Sequence, residues 1–278
     1  MTIDEIIIQA LREDLGDGDH TSLATIPGSA IGKARLLVKG DGVIAGLDIA
    51  HKVFTTVDPE LRMTNFYADG ARVKKGDIAF EIEGPVISIL SSERLVLNFM
   101  QRMSGIATAT SILVDRLKGL DTKILDTRKT TPLLREIEKM AVRIGGGFNH
   151  RFGLYDMIMI KDNHVDFAGG IAEAIHSAAA YLQHTGKHLQ IEIETRSLDE
   201  VREVLATGGV NRIMLDNFDF PELRQAVELI NHRYETEASG GITLETIRQY
   251  AACGVDFISV GALTHHISSL DLSLKAEC

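Results

Sequence analysis

The chain has 278 residues, 45% of them hydrophobic and 24% charged, which is an ordinary soluble composition with room for one large or two modest domains. Lys and Arg number 29 against 39 Asp and Glu, and a net charge of −10 argues against a nucleic-acid partner. Two cysteines, Cys253 and Cys278, make neither a disulfide framework nor a metal-ligand spacing, so a reducing cytoplasm is expected.

The first residues carry no basic n-region, and the apolar run Ile6-Ile7-Ile8 is broken by Gln9, so neither a signal peptide nor a membrane span is expected. Residues 2–15 place Ile3, Ile6, Ile7, Ala10 and Leu11 on one side of an amphipathic helix. Gly16-Asp17-Gly18-Asp19-His20 ends it as a turn, since no bidentate Glu follows at the distance a calcium loop requires. From Ile31 to Gly84 short strands alternate with turn glycines: Ala34 to Lys39, Val43 to Ala45, Arg62 to Tyr67 and Ile78 to Glu83, with a helix at Leu47 to Thr56. Ser91-Ser92 is read as the cap of a long, largely apolar helix from Glu93 to Leu117 that joins two domains.

From Lys123 onward strands and helices alternate. Strands are predicted at 123–126, 155–160, 189–194, 211–215, 234–238 and 255–260, and helices at 132–144, 168–184, 197–206, 219–231 and 243–252. Thr131 is the expected N-cap of the first of these helices, with Pro132 at its first position. The fold class is therefore α/β: an N-terminal α/β open-faced sandwich domain at 1–108 and a parallel β/α barrel at 109–278, with the chain end returning to the first domain. Six strands are counted, two fewer than a closed barrel needs.

Residues 126–164 hold seven basic against five acidic residues, whereas the rest of the chain holds 22 against 34. Thr127-Arg128-Lys129, His150-Arg151 and Lys161-Asp162-Asn163-His164 each follow a predicted element end, where a barrel collects its chemistry. Single surface charges usually mean little, but three such clusters at successive ends describe an anion site. In Leu189-Gln190-Ile191-Glu192-Ile193-Glu194 the polar residues share the inward face, and buried carboxylates need a cation, ribose hydroxyls or a lysine. Glu194, nearer the strand end, is the candidate site residue; Glu192 is either a site residue or half of a buried structural pair. Asp216 occupies the equivalent end of the next strand, and the pair could hold Mg²⁺, directly or through water. Ser239-Gly240-Gly241, with Thr243 as a helix cap, and Gly261-Ala262 offer backbone N–H groups for a phosphate.

These stretches resemble the quinolinate phosphoribosyltransferase family, also called nicotinate-nucleotide pyrophosphorylase (carboxylating). The matching motifs include Thr127-Arg128-Lys129-Thr130-Thr131-Pro132, Asn149-His150-Arg151, Lys161-Asp162-Asn163-His164, Leu215-Asp216-Asn217-Phe218, Glu237-Ala238-Ser239-Gly240-Gly241 and Val260-Gly261-Ala262-Leu263-Thr264. The chain departs from the pattern at Leu133, where relatives often have Gly, at Met140, where Tyr is frequent, and at His266, where Ser is usual. The resemblance implies an incomplete, seven-stranded barrel. It also implies that Arg94 reaches from one subunit into its neighbour's barrel mouth to bind a pyridine dicarboxylate, so that a homodimer, alone or as the unit of a hexamer, is the minimal active form.

The activity so implied is transfer of a phosphoribosyl group from phosphoribosyl pyrophosphate to quinolinate with decarboxylation, within NAD biosynthesis. Lys129, Lys161, Glu194 and Asp216 are the catalytic candidates, and Arg94, Thr127, Arg128, His150, Arg151, Ser239, Gly240, Gly241, Gly261 and Ala262 join them as substrate-binding candidates. Two readings compete with it: a Schiff-base barrel lyase or aldolase using Lys129 or Lys161, and a non-catalytic anion-binding paralogue linked to molybdenum transport.

Overall fold

A computed structural model describes residues 2–277. By internal contacts the chain divides into two compact units. One comprises the chain up to Ile112, Thr130–Gly146 and the chain from Ala262 onward; the other comprises Leu113–Lys129 and Gly147–Gly261. Residues 130–146 group with the first unit although they lie far along the chain.

In the first unit, α1 (Ile3–Leu15) is fixed at its start by a capping box between Thr2 and Glu5. After the expected turn, Asp19 caps the short helix α2 (His20–Thr25) by accepting the Ser22 N–H at 3.1 Å. Then come β1 (Ile31–Val38), β2 (Gly42–Val43), α3 (Leu47–Val57), β3 (Arg62–Asn65), β4 (Arg72–Val73) and β5 (Ile78–Pro85). β1 and β3 pair antiparallel with β5, and the terminal strand Leu272–Glu277 adds to the other side of β1, with Leu274 opposite Leu36. The period of two sends Ala34, Leu36 and Val38 inward against Phe80 and Ile82, and leaves Lys33 and Arg35 outside beside Glu81.

The long helix α4 (Val86–Arg116) corrects the expected start at Glu93. Ser92 caps nothing: its hydroxyl donates back to the carbonyls of Ser88 and Ile89 at 2.7 and 3.0 Å, inside the helix. The stretch Val86–Leu90, apolar except for Ser88, carries no breaker, and Ile89 is buried there. Arg94 consequently lies in the third turn, beyond the reach of the N-terminal dipole, and is exposed. α5 (Arg135–Ile144) begins three residues later than a helix starting at Pro132 would, because Leu133 adopts φ 68 and Leu134 N–H closes a turn onto the Thr131 carbonyl at 3.1 Å.

The second unit is built on six parallel strands: β6 (Lys123–Leu125), β7 (Ile158–Ile160), β8 (Ile191–Thr195), β9 (Arg212–Asp216), β10 (Glu235–Ser239) and β11 (Phe257–Ser259). Their order is β6-β11-β10-β9-β8-β7. A seventh position is a single parallel bridge from Leu125 to Phe148, held by Phe148 N–H on the Ile124 carbonyl at 2.8 Å and Asp126 N–H on the Phe148 carbonyl at 3.1 Å. Among the described residues no pairing joins β7 to Phe148, so the barrel stays open there. The connecting helices are α6 (Asp162–Ala168), α7 (Ile171–Thr185), α8 (Leu198–Thr207), α9 (Phe220–Ile230) and α10 (Ile247–Ala251). The helix expected at 168–184 is α7, which starts at Ile171 after Gly169 and Gly170 at φ 97 and 151; α6, ahead of those glycines, was not expected. Thr243 is not an N-cap either: α10 starts at Ile247, and the Thr243 carbonyl accepts its N–H at 2.9 Å. After α11 (Ala262–His265) the chain ends in β12 (Leu272–Glu277). Among the described residues no helix is long and apolar enough to cross a membrane.

Candidate active site

Arg128, Lys129, His150, Arg151, Lys161, Glu194, Asp216, Ser239, Gly240 and Gly261 all lie at or just beyond the C-terminal ends of the parallel strands, or follow the Phe148 bridge. Strand register decides which of them face one another. Glu192 stands opposite Arg212 and Glu194 opposite Met214, and on the next strand Glu235 and Glu237 stand opposite Arg212 and Met214. One face of the sheet therefore carries Glu192, Arg212 and Glu235 in one row and Glu194, Met214 and Glu237 in the row above, with Asp216 and Ser239 above those.

Lys161 Nζ lies 3.0 Å from Glu194 Oε2; the carboxylate is buried and the lysine half-exposed. The rest of Lys161-Asp162-Asn163-His164 starts α6: His164 Nδ1 accepts the Lys161 N–H at 3.0 Å, and Asp162 Oδ1 accepts the Asn163 N–H at 2.7 Å. Asp216 Oδ2 accepts from Asn217 Nδ2 at 2.6 Å. Gly240 is required by Asn217, since a Cβ there would come within 2.2 Å of Asn217 Oδ1, whereas beside Gly241 the space is open. Thr127 Oγ1 accepts the Lys129 N–H at 3.0 Å and shapes the Arg128-Lys129 turn.

Arg151 is the most telling cation. Its Nη1 donates to the Met157 carbonyl at 3.2 Å, and burial followed by the neighbouring Arg128 charge lowers its pKa. Two guanidinium groups near enough to repel, one of them partly desolvated, make a place where an anion is favourable.

Below them lies a charged core. His150 Nε2 is 3.0 Å from Glu192 Oε2 and 3.5 Å from Glu237 Oε2, and both carboxylates are fully buried. Arg212 pairs with Glu237 at 3.1 Å and with Glu235 at 2.9 Å, and its guanidinium lies 4.1 Å from the Phe257 ring centroid. Burial and then the Glu237 charge raise the Glu192 pKa; burial also works against a charged His150, but the two carboxylates outweigh it and bring the ring to about 9. Against a second ring proton stands Nδ1, which accepts the Arg151 N–H at 2.6 Å. The value of about 9 thus belongs to the His150–Glu192–Glu237 cluster, which shares one extra proton, and the bond at Nδ1 places that proton on the carboxylate side. With it, the pair of acids and Arg212 sum to neutrality, which is what makes two buried acids tolerable.

His150, Glu192 and Glu237 also form the one group of three metal-type side chains found among the described residues. The tautomer argues against a metal there: with Nδ1 accepting a hydrogen bond, Nε2 carries the proton and has no lone pair to give.

Sequence reasoning overlooked Asp126, Arg212 and Glu237 as a supporting set. Asp126, fully buried, accepts the His150 N–H at 2.9 Å and the Asn149 amide, and so ties 149–150 to the end of β6. A lone Asp at a strand end carries no sequence signal for that role. Within the first unit, Arg102 and the buried Glu138 clamp Thr131: Arg102 Nη2 reaches Thr131 Oγ1 at 2.7 Å and Glu138 Oε1 at 2.6 Å, and Glu138 Oε2 accepts the Thr131 N–H at 3.2 Å. Ala262 and Arg94 also belong to that unit.

The family description "Quinolinate phosphoribosyl transferase, N-terminal domain" matches residues 19–104, and its C-terminal counterpart matches 106–275. The chain belongs to the quinolinate phosphoribosyltransferase family. It is 48% identical over 287 residues to a chloroplastic nicotinate-nucleotide pyrophosphorylase (carboxylating) of Arabidopsis thaliana, covering 98% of this chain and 82% of that protein. A mitochondrial quinolinate phosphoribosyltransferase (decarboxylating) 2b of Nicotiana tabacum is 47% identical over 288 residues, with coverage of 98% and 82%. The crystal structure of NadC from Streptococcus pyogenes superposes with a TM-score of 0.94 at 43% identity, over 98% of this chain and 95% of that one. The family's α/β fold is thus shared nearly end to end.

Proposed function

We propose that the chain transfers the phosphoribosyl group of phosphoribosyl pyrophosphate to quinolinate and decarboxylates the product, giving nicotinate mononucleotide, pyrophosphate and CO₂ in de novo NAD biosynthesis. The observation that carries this reading is the half-buried Arg151 beside Arg128, a cation pair suited to a dicarboxylate, in a chain that belongs to this family. The names of the relatives support the substrate pair.

In the reaction the pyridine nitrogen attacks the anomeric carbon as the bond to pyrophosphate breaks, through an oxocarbenium-like state. This chemistry needs positioning and charge stabilisation more than a protein nucleophile. Arg128 and Arg151 orient the carboxylates, each charged hydrogen bond contributing about 1.5–3 kcal/mol. Lys129 and Lys161 add positive charge at the mouth, and Glu194 and Asp216 supply acceptors for ribose hydroxyls. Ser239, Gly240, Gly241, Gly261 and Ala262 supply the phosphate end. Loss of CO₂ from the 2-position leaves its electron pair on the carbon next to the ring nitrogen, whose positive charge stabilises it until a proton arrives.

Glu194 and Asp216 also fit Mg²⁺, being hard oxygen donors on one sheet face at adjacent strand ends. When bound, the ion would neutralise charge on the departing pyrophosphate. The active form is a homodimer, alone or as the unit of a hexamer, with Arg94 completing the neighbour's site; the exposure of Arg94 supports this. A buried free thiol at Cys253 is in keeping with a reducing, cytoplasmic setting. The test is to incubate the protein with quinolinate, phosphoribosyl pyrophosphate and Mg²⁺. Nicotinate mononucleotide, CO₂ and pyrophosphate should appear in equal amounts, and absence of the mononucleotide would overturn the reading.

A further inference from the structure

We propose that Glu192 and Glu237 are positioning residues that act through His150 to fix Arg151 in the anion site. The proposal rests on the reading of that site as the one that takes quinolinate.

The argument starts from the two sides of one ring. The Nε2 edge of His150 faces both buried carboxylates, at 3.0 and 3.5 Å, and the Nδ1 edge accepts the backbone N–H of the next residue, Arg151, at 2.6 Å. An imidazole offers one donor and one acceptor, so drawing the proton to Nε2 leaves the lone pair on Nδ1 for Arg151. Without the carboxylates the tautomer is free to reverse, and an Nδ1–H would then oppose the Arg151 N–H.

The ring is held on every side. Asp126, at the end of β6, accepts the His150 N–H at 2.9 Å. Glu192 projects from β8 and Glu237 from β10, and Arg212 of β9 holds Glu237 at 3.1 Å and Glu235 at 2.9 Å. Ser259 of β11 also bonds to Glu237. The other charges facing the segment are Arg128, close to the Arg151 side chain, and Asp156, whose carboxylate accepts the N–H groups of Phe152 and Gly153 at 2.6 and 2.8 Å. Arg151 therefore leaves a backbone pinned on both sides by groups that belong to the sheet and its loops. Buried charges are costly, and a set contributed by five strands is a large investment for packing alone.

The test is kinetic and spectroscopic. Glu192→Gln and Glu237→Gln should each raise KM for quinolinate about tenfold, the loss expected when one charged contact is misaligned, with KM for phosphoribosyl pyrophosphate nearly unchanged. Equal shifts in both constants, or none, would overturn the proposal, because a general loss of folding does not select one substrate. Should a single variant fail to fold, the charge-balanced Glu192→Gln/Arg212→Gln chain is assayed for the same split. In the wild type, ¹⁵N spectra of the imidazoles, with His150 assigned by difference from His150→Gln, should show the Nε2–H tautomer, and the Arg151 amide resonance should move in Glu192→Gln. An Nδ1–H tautomer in the wild type would refute the brace even if the protein made no nicotinate mononucleotide, which keeps this result separate from the assigned activity.

Discussion

Lys161 and Glu194 form an ion pair of 3.0 Å across the ends of the neighbouring strands β7 and β8. Glu194 sits one inward position beyond Glu192 on the same strand, yet the two acids have separate partners: the upper one meets a half-exposed lysine, the lower one a buried histidine. The upper pair can open to admit a substrate; the lower one cannot without leaving buried charge.

Lys161→Ala and Glu194→Gln should each reduce kcat at least tenfold while the far-ultraviolet circular dichroism and melting temperature stay near wild type, since both residues sit at strand ends and the lysine is half-exposed. A double-mutant cycle in kcat/KM measures their coupling, and strict additivity would show that they act independently. Collapse of the melting temperature in Lys161→Ala would assign the lysine to structure.

Arg94 and Lys129 supply a test of a shared site. Each alanine variant should be inactive alone, and subunit exchange between them should restore roughly a quarter of the sites, because each heterodimer pairs one intact barrel with one intact Arg94. Exchange seen by native mass spectrometry without recovery of activity would place Arg94 in its own subunit's chemistry or in none.

Leu133 holds φ 68 and is 73% exposed. The left-handed conformation costs a non-glycine residue about 1–2 kcal/mol, and glycine gives part of that back through unfolded-chain entropy. Leu133→Gly should therefore stabilise the protein by roughly 0.5 kcal/mol, read as a rise in denaturant midpoint at constant m-value.

The proton shared by His150, Glu192 and Glu237 sets a pH dependence. The folded cluster keeps its extra proton up to about pH 9, whereas in the unfolded chain the first proton is bound only at a free imidazole near 6.5, so the contribution to stability is complete below pH 6.5 and is lost as pH rises through about 9. The difference is worth up to roughly 3 kcal/mol. Melting temperature should fall over that window in the wild type and fall less in His150→Gln; parallel profiles would show that the cluster does not hold the proton.

The sequence by itself determined the class of the chain and most of its elements. A strict period of two along 189–194, helical periodicity between the strands and the grouping of Arg128, Lys129, Arg151 and Lys161 at strand ends all follow from local pattern, because side-chain alternation and solvent exposure are local properties. Tertiary structure decided what local pattern cannot encode. Helix packing extended α4 back to Val86 and moved Arg94 from the first turn to the third. The seventh barrel position shrank to one bridge at Phe148. Above all, Glu192, Arg212, Glu237 and His150 are separated by as many as 87 positions in the chain, and only the parallel register of β8, β9 and β10 brings their charges within reach of one another. A buried charge is tolerated only with its partner beside it, and that partner is chosen by the register of strands, which no single stretch of sequence contains.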